Sequence, residues 1–156
     1  MFARLAIEAD APALIDMAAD AVLTHYGDVA DRGMLREAFD RYLEFADPTV
    51  FVCEANRTVA GFAAFQICAY THKSGIYTSQ RALCVSPGYR GSRAAVLLMR
   101  EFVCWSTGIG ALEIHGGTSV NFRTKKMASF LKRFGFQECG IVAKRNLGLG
   151  RRQERV

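Results

Sequence analysis

Residues 83 to 95 read Leu83-Cys84-Val85-Ser86-Pro87-Gly88-Tyr89-Arg90-Gly91-Ser92-Arg93-Ala94-Ala95. A short apolar run ends at Pro87, and after a turn with two glycines the apolar residues recur with helical spacing, at Ala95, Leu98, Met99 and Phe102. This pattern predicts a strand, a tight turn and a helix. The free N–H groups of the first helical turn converge, and the helix dipole favours negative charge there. With Arg90 and Arg93 beside it, the turn is suited to bind an anion such as a pyrophosphate, although a helix start without a ligand has the same pattern.

The same residues resemble the acetyl-CoA loop of the GNAT N-acetyltransferase superfamily, whose motif is Val-x-Pro-x-x-Arg-Gly-x-Gly-x-Gly/Ala. The matching residues are Val85, Pro87, Arg90, Gly91 and Ala95. Arg93 stands where the motif has a glycine that lets the backbone approach phosphate closely. Because phage-type members of the superfamily carry Gly-x-Arg-Ala-Ala loops, the resemblance implies the phage-type subgroup.

A second signature lies near the C-terminus, where residues 130–136 read Phe-Leu-Lys-Arg-Phe-Gly-Phe. This run resembles the closing GNAT signature Leu-Tyr-x-x-Leu-Gly-Phe, with Leu131 in place of the tyrosine. The two signatures have the expected order and separation, so the resemblance covers nearly the whole chain. It implies a single α/β domain over residues 1–156 with the GNAT (acyl-CoA N-acyltransferase) fold. Its central mixed, mostly antiparallel sheet would have about seven strands, flanked by about four helices.

Periodicity and turn residues predict the elements in chain order. Strands are expected at 2–7, 49–54, 58–67, 79–85, 111–115, 136–140 and 141–147. Asp10 is expected to cap a first helix, which ends before a loop at 24–28, and Asp31 is expected to open a second helix, which Asp47-Pro48 stops. A last helix presents Met127, Phe130, Leu131 and Phe134 on its apolar face. The basic tail at 151–155 is expected to be mobile.

Composition is compatible with several kinds of partner. The chain has 156 residues, 51% of them hydrophobic, and a formal net charge of +5, which permits an acidic cofactor, an anionic substrate or nucleic acid. Five widely spaced cysteines (Cys53, Cys68, Cys84, Cys104 and Cys139) suggest reduced core residues. Since neither a signal peptide nor a bilayer-spanning run is predicted, the protein is expected in the cytoplasm without a membrane partner. No metal site is expected, and a homodimer stays open.

The resemblance implies acetyl-CoA as cosubstrate. It places the pyrophosphate at Arg90, Gly91, Ser92, Arg93, Ala94 and Ala95. It also implies that the strand at 111–115 splays from the central strand, leaving a wedge in which pantetheine bonds to backbone groups of Leu83, Cys84 and Val85. A backbone N–H near Leu83 or Cys84 would hold the thioester carbonyl. Cys84 is expected to be a core residue and not a nucleophile, because transfer in the family is usually direct.

Acetyl transfer to an amine needs a neutral amine, a donor for the carbonyl oxygen and a proton for the leaving thiolate. Many GNAT enzymes carry a glutamate on the central strand, but residues 79–83 contain no carboxylate. His115 is the best candidate for the base, because it ends the splayed strand and shares a face with Glu113, which could orient it. A structural histidine, a base acting through water, or no base are the alternatives. With Leu131 in the tyrosine position, the thiolate proton would come from water, from the acceptor ammonium, or from Tyr77 or Tyr89.

The sequence therefore predicts an N-acetyltransferase that acts on a primary amine of an unidentified small molecule or protein. His25 and Tyr26, in the loop between the first two helices, could contact the acceptor, while His72 is expected to be exposed. One alternative is an acyl-CoA-binding module that has lost catalysis. Another is a toxin-like acetyltransferase acting on aminoacyl-tRNA, with nucleic acid held by the tail and by one face of the last helix, formed by Lys125, Ser129, Lys132 and Arg133. A solvated surface would explain the same basic residues.

Overall fold

Strands and helices alternate along the chain in a computed structural model that describes residues 1–117 and 124–145. The strands are β1 (Phe2–Leu5), β2 (Thr49–Ala55), β3 (Thr58–Ala69), β4 (Ile76–Val85) and β5 (Glu113–His115). The helices are α1 (Ala11–Tyr26), α2 (Arg32–Phe45), α3 (Ala94–Gly108) and α4 (Thr124–Lys132). The described strands form one sheet in the order β1-β2-β3-β4-β5, in which the first four are antiparallel and β5 runs parallel to β4.

Helices cover both faces of this sheet. Alternate residues of β2 point to opposite faces, so Val52 packs with α1 and α2, whereas Cys53 packs with α3. On the α3 face, Phe65 of β3 stacks on Phe102 with ring centroids 3.9 Å apart. Leu131 of α4 joins the same cluster. Since β2 is buried on both faces, its sequence is a continuous apolar run, and the α/β fold class predicted from the sequence is confirmed.

Capping and turn residues in the sequence predicted the ends of several helices and strands correctly. The Asp31 carboxylate accepts a hydrogen bond from the Met34 N–H at 3.1 Å, so the predicted cap of α2 is confirmed. Asn56 and Arg57 have φ values of 51° and 61°, which is the conformation that a two-residue hairpin between β2 and β3 requires. β4 begins at Ile76, three residues before the predicted start, and β1 ends at Leu5.

Two predictions about the first helix are wrong. The Asp10 carboxylate does not cap α1; it accepts the Ile7 N–H at 2.8 Å and two bonds from Arg4, at 2.8 and 3.0 Å. A guanidinium that reaches back from β1 therefore outcompetes the helix end for this carboxylate. The predicted loop at 24–28 also begins too early, because α1 continues through His25 to Tyr26, and Gly27, with a φ of 70°, caps the helix end.

The strands predicted at 136–140 and 141–147 do not form in the described residues. Residues 136–145 have no strand, Ile141 is 98% exposed, and positions 146 and 147 lie outside the described ranges. The described sheet consequently has five strands instead of about seven. β propensity measures how a side chain fits a half-buried pleated surface, so it has no effect where no neighbouring strand covers the segment.

Two remaining expectations concern membranes and the tail. In residues 1–117 and 124–145, each helix is too short or too polar to cross a bilayer. The basic tail at 151–155 lies outside the described residues.

Candidate active site

The site is built on a change of pairing along β4. β3 pairs with β4 over the whole strand, from Ala69 opposite Ile76 to Gly61 opposite Val85. β5 pairs only with Tyr77, Thr78 and Ser79. Beyond Ser79, one side of β4 is therefore not covered by any described strand. We call this uncovered backbone side of residues 80–85 the open edge.

A β-bulge marks the point where the open edge begins. Ala82 lies opposite Ala64, but Gln80 lies opposite Phe65, so Arg81 is an extra residue on β4. A bulge increases the local twist and bends the strand that carries it. The pairing with β5 ends at Ser79, and the bulge follows one residue after Gln80, at the place where the resemblance implies a wedge between the two strands.

The direction of the backbone along the open edge follows from the pairing with β3. The Ser86 N–H donates to the Ala60 carbonyl at 2.9 Å, so Ser86 and the residue two positions earlier, Cys84, direct their polar groups at β3. Leu83 and Val85 alternate with them and direct their N–H and C=O groups to the open edge. The geometry therefore favours Leu83 over Cys84 as the backbone donor.

The Cys84 side chain packs against the cluster formed by α1 and α2, on the other face from the Leu83 and Val85 side chains. Burial raises the pKa of the Cys84 thiol to about 11, so the thiol stays protonated near neutral pH. A protonated thiol is a poor nucleophile, and this environment suits the structural role expected of Cys84.

The turn after β4 leads directly into α3. A short 3-10 helix, Pro87–Tyr89, is followed by Gly91 with a φ of 80°, a conformation that side-chain-bearing residues rarely adopt. The Ser92 hydroxyl accepts a hydrogen bond from the Ala94 N–H at 3.2 Å. Arg90 and Arg93 are exposed and form no ion pair with a described residue, so their charges are available to an anion at this turn.

His115 and Glu113 form a dyad on β5. Ile114 between them packs on the α3 side, so both polar side chains face the other side of the sheet. His115 Nε2 lies 3.1 Å from Glu113 Oε2. Hydrogen bonds, first from His115 and then from Lys73, lower the pKa of Glu113 to about 2. Because an ionised carboxylate only accepts hydrogen bonds, the proton is on Nε2, and a neutral His115 ring has its lone pair on Nδ1.

The Tyr70 ring and the Glu113 carboxylate contact the ammonium group of Lys73, and the Tyr77 and His115 rings lie next to them. The Tyr77 ring lies 4.5 Å from the His115 ring and 5.0 Å from the Tyr70 ring, measured between centroids. Lys73 Nζ is 3.2 Å from Glu113 Oε1 and 4.1 Å from the Tyr70 centroid. We call Tyr70 and Glu113, the two groups that contact this ammonium, the aromatic cage. His72 is exposed, as predicted, with its ring edge against Tyr70.

Gln80 is a site residue that sequence reasoning missed. Its Nε2 donates to the Gly117 carbonyl at 3.2 Å, which connects β4 to the segment after β5 across the wedge. Its Oε1 is buried and has no hydrogen-bond partner among the described residues. A glutamine carries no distinctive motif, and only its place beside the bulge marks it.

Leu131 and Gly116 lie at the same mouth of the wedge. A Cβ on Gly116 would lie 3.0 Å from Phe136, 3.3 Å from Leu131 and 3.5 Å from Gln80 Oε1. Leu131 is 9% exposed, and its aliphatic side chain carries no proton donor. Of the two substitute acids, Tyr89 packs against the α3 core, and the pKa of Tyr77 is raised, mainly through a hydrogen bond with Cys68.

The other residues that the sequence singled out have contacts of their own, none of them with His115 or Glu113 among the described contacts. Lys125, Lys126, Ser129, Phe130 and Arg133 line a cavity of about 380 Å³ on α4. Lys132 instead pairs with Glu138, with Nζ 3.7 Å from Oε1. Tyr26 is 46% exposed, and Lys144 Nζ lies 5.3 Å from its ring centroid. In the described ranges, no group of three or more histidine, cysteine or acidic residues could hold a metal ion.

The class of protein follows from β4, which has a bulge, lacks a second neighbouring strand beyond Ser79 among the described residues and leads into the start of α3. A family model described as an acetyltransferase (GNAT) domain matches residues 46–138, more than half of the chain. The chain belongs to the GNAT acetyltransferase family, whose members use acetyl-CoA as the acyl donor. No match was found among curated proteins.

Several solved structures are similar in fold. A transcriptional regulator from Bacillus halodurans C-125 is 17% identical with a TM-score of 0.79, covering 92% of this chain and 97% of the regulator. An acetyltransferase from Trypanosoma brucei is 17% identical with a TM-score of 0.73, covering 93% and 98%. An aminoglycoside antibiotic 6'-N-acetyltransferase from Acinetobacter haemolyticus is 14% identical with a TM-score of 0.72, covering 96% and 100%. At these identities, the likeness concerns the fold alone.

Proposed function

We propose that the protein transfers an acetyl group from acetyl-CoA to a primary amine. The observation that carries this proposal is the change of pairing on β4, which leaves Leu83 and Val85 with backbone groups on the open edge, next to the turn at residues 90–95. A pantetheine chain carries two amide groups and could pair with this edge as a strand would. Its pyrophosphate would then reach the N–H groups of Arg93 and Ala95, the Ser92 hydroxyl and the charges of Arg90 and Arg93.

The Leu83 N–H would hold the thioester carbonyl oxygen and stabilise the negative charge that develops there during attack. The amine nitrogen forms the new bond to the carbonyl carbon, and the bond from that carbon to sulfur breaks. The amine loses a proton in the process, and the thiolate gains one. The products are an acetamide and CoA with a free thiol.

His115 would accept the proton of the amine. Glu113 fixes the proton of the ring on Nε2, so Nδ1 is the atom that would act as the base. Leu131 has no proton to give to the leaving thiolate. We propose that this proton comes from water, from the acceptor ammonium, or from Tyr77 or Tyr89.

A matched pair of histidine variants tests this proposal. Incubation of an amine pool with isotopically labelled acetyl-CoA, followed by mass spectrometry, should detect acetylated amine with the wild type. His115→Gln should lower kcat by about a hundredfold or more, whereas His72→Gln should leave it unchanged. Equal turnover by the two variants would remove His115 from the mechanism. Binding of CoA without turnover of any amine would instead identify an acyl-CoA-binding module, the alternative that Leu131 supports.

We propose that Arg93 belongs to a phage-type acetyl-CoA loop, in which an arginine replaces the motif glycine. The side chain is exposed and free of ion pairs with described residues, so it can contact a phosphate. Arg93→Gly should therefore weaken CoA binding, measured by calorimetry. Tighter binding by this variant would show that Arg93 obstructs the loop and that the protein has drifted from catalysis.

RNA is a second candidate partner, because three basic side chains and Phe130 line one cavity on α4. Basic groups neutralise phosphates, and an aromatic ring can stack on a base. Binding of an RNA oligonucleotide that weakens steeply with salt, and that is lost in Lys125→Gln/Lys126→Gln, would favour an acceptor attached to RNA. Absence of salt-dependent binding would leave these residues as a solvated surface.

A further inference from the structure

The aromatic cage holds an ammonium group in the free protein, and this ammonium comes from the chain itself. Lys73 belongs to the loop between β3 and β4. Its Nζ contacts Glu113 Oε1 at 3.2 Å and the face of the Tyr70 ring at 4.1 Å. The combination of a carboxylate and an aromatic face is how proteins bind organic cations. The cage is thus a cation site that is seen with a cation in it.

Lys73 is a weakly held occupant of this site. The side chains of Lys73 and Glu113 are 42% and 48% exposed, and ion pairs with such exposure contribute little to stability. The loop itself is fixed elsewhere, because Leu112 N–H donates to the Ile76 carbonyl at 2.9 Å and its side chain fills the space beside Gly75. Lys73 can therefore leave the cage without unfolding the loop, and another cation can replace it.

The cage cannot be the place where the reacting nitrogen is activated. An amine attacks a thioester only in its neutral form, whereas a carboxylate with a tyrosine ring stabilises the charged form. The cage would therefore hold a different positive group of the same acceptor. Glu113 connects the two positions, since one of its oxygens faces Lys73 and the other accepts from His115 at 3.1 Å.

We propose that the aromatic cage binds a second positive charge of the acceptor, so that the substrate class is a diamine or a larger polyamine, and that Lys73 fills the cage until the acceptor arrives. This inference rests on the proposed function, because it needs an amine acceptor near His115. Glu113 brings the two positions close together, because one of its carboxylate oxygens contacts the Lys73 ammonium at 3.2 Å and the other contacts His115 Nε2 at 3.1 Å.

The test measures binding and does not depend on turnover. 1,4-Diaminobutane is titrated into the full-length protein without acetyl-CoA, and ring resonances of tyrosine and histidine are followed by NMR. The diamine should shift the Tyr70, Tyr77 and His115 signals, and n-butylamine should bind more weakly. Lys73→Met should bind the diamine about fivefold more tightly, because removal of an internal competitor raises the fraction of open sites. Glu113→Gln should bind it at least tenfold more weakly.

The pair of Lys132 and Glu138 supplies matched controls, because Lys132→Met and Glu138→Gln make the same charge changes outside the cage. Both variants should bind 1,4-diaminobutane as the wild type does. Unchanged diamine affinity in Lys73→Met, or equal affinity for the diamine and n-butylamine, would overturn the proposal. If the aromatic cage does not bind the acceptor, CoA binding and acetylation of simple amines persist. If the proposed transfer is wrong, turnover is absent while the diamine still shifts the cage signals.

Discussion

Both halves of β4 pair with β3, but only one half also pairs with β5. Residues 77–79, the closed half, lie between β3 and β5, whereas residues 80–85, the open half, pair only with β3 among the described strands. In the closed half, Thr78 is fully buried and its hydroxyl lies 2.7 Å from the Ser106 hydroxyl. In the open half, Leu83 and Val85 direct backbone groups to the uncovered side. The comparison teaches that one strand can be fully paired over part of its length and leave backbone groups uncovered over the rest, with a bulge at the change.

The largest expected effect on stability comes from a substitution that forces β3 away from the open half of β4. A Cβ on Gly61 would lie 2.7 Å from the Cys84 carbonyl oxygen and 3.4 Å from Val85 Cα, both backbone atoms that cannot move aside alone. Gly61→Ala should therefore lower the free energy of unfolding by about 3 kcal/mol, measured by urea denaturation. Gly108→Ala is the control, since a Cβ there has no heavy atom within 4 Å and its φ lies outside the left-handed region. If both variants had the same free energy of unfolding, the close contact between β3 and the open half would not contribute to stability.

A smaller loss is expected from the buried hydroxyl pair of the closed half. Thr78→Val leaves the Ser106 hydroxyl buried without its partner, which should cost about 2 kcal/mol of unfolding free energy. The double variant Thr78→Val/Ser106→Ala should recover part of this loss, because both polar groups are then removed. CoA affinity, measured by calorimetry, should be unchanged in any sample that remains folded. A fall in CoA affinity would mean that the two halves are not separable.

The turn that follows the open half should show the opposite behaviour, a loss of binding without a loss of stability. Ser92→Asp keeps an oxygen that can accept the Ala94 N–H and places negative charge beside the proposed phosphate position. We expect CoA to bind about tenfold more weakly, because like charges repel at this distance. Ser92→Asn, which keeps the acceptor without the charge, should bind CoA nearly as the wild type does. Equal affinity of the two variants would place the pyrophosphate elsewhere.

The smallest effect concerns the charge at the edge of the closed half. The pKa of Glu113 is lowered to about 2, chiefly by the His115 hydrogen bond, so its ionised form is favoured in the folded protein. The resulting stabilisation is complete above the ordinary carboxyl range near pH 4.5 and is lost as the pH falls toward 2. The stability difference between wild type and Glu113→Gln should therefore shrink between pH 5 and pH 3 in urea titrations. The exposed Glu138→Gln is the control, and a difference that grows on acidification would contradict the assignment.

Local sequence signals predicted much of the fold. The helical spacing after Pro87, the Asp31 cap and the short turn at Asn56 and Arg57 each depend on residues within a few positions of one another. The two motifs, at residues 85–95 and 130–136, were enough to indicate the family. The predicted strands beyond Phe136 failed because a strand needs a neighbour, and apolar alternation does not show whether one is present.

The sequence by itself determined the helices, the first five strands, the turn at residues 90–95 and the presence of His115 at the end of a strand, because these follow from short-range periodicity and turn residues. Only the tertiary structure decided that Arg81 bulges, that Leu83 and not Cys84 directs its N–H to the open edge, and that Gln80 bridges the wedge. It also decided that Lys73 meets Glu113, 40 positions later in the chain. Such contacts depend on the register between strands, and register is fixed by the packing of the whole sheet against its helices, which no local pattern encodes.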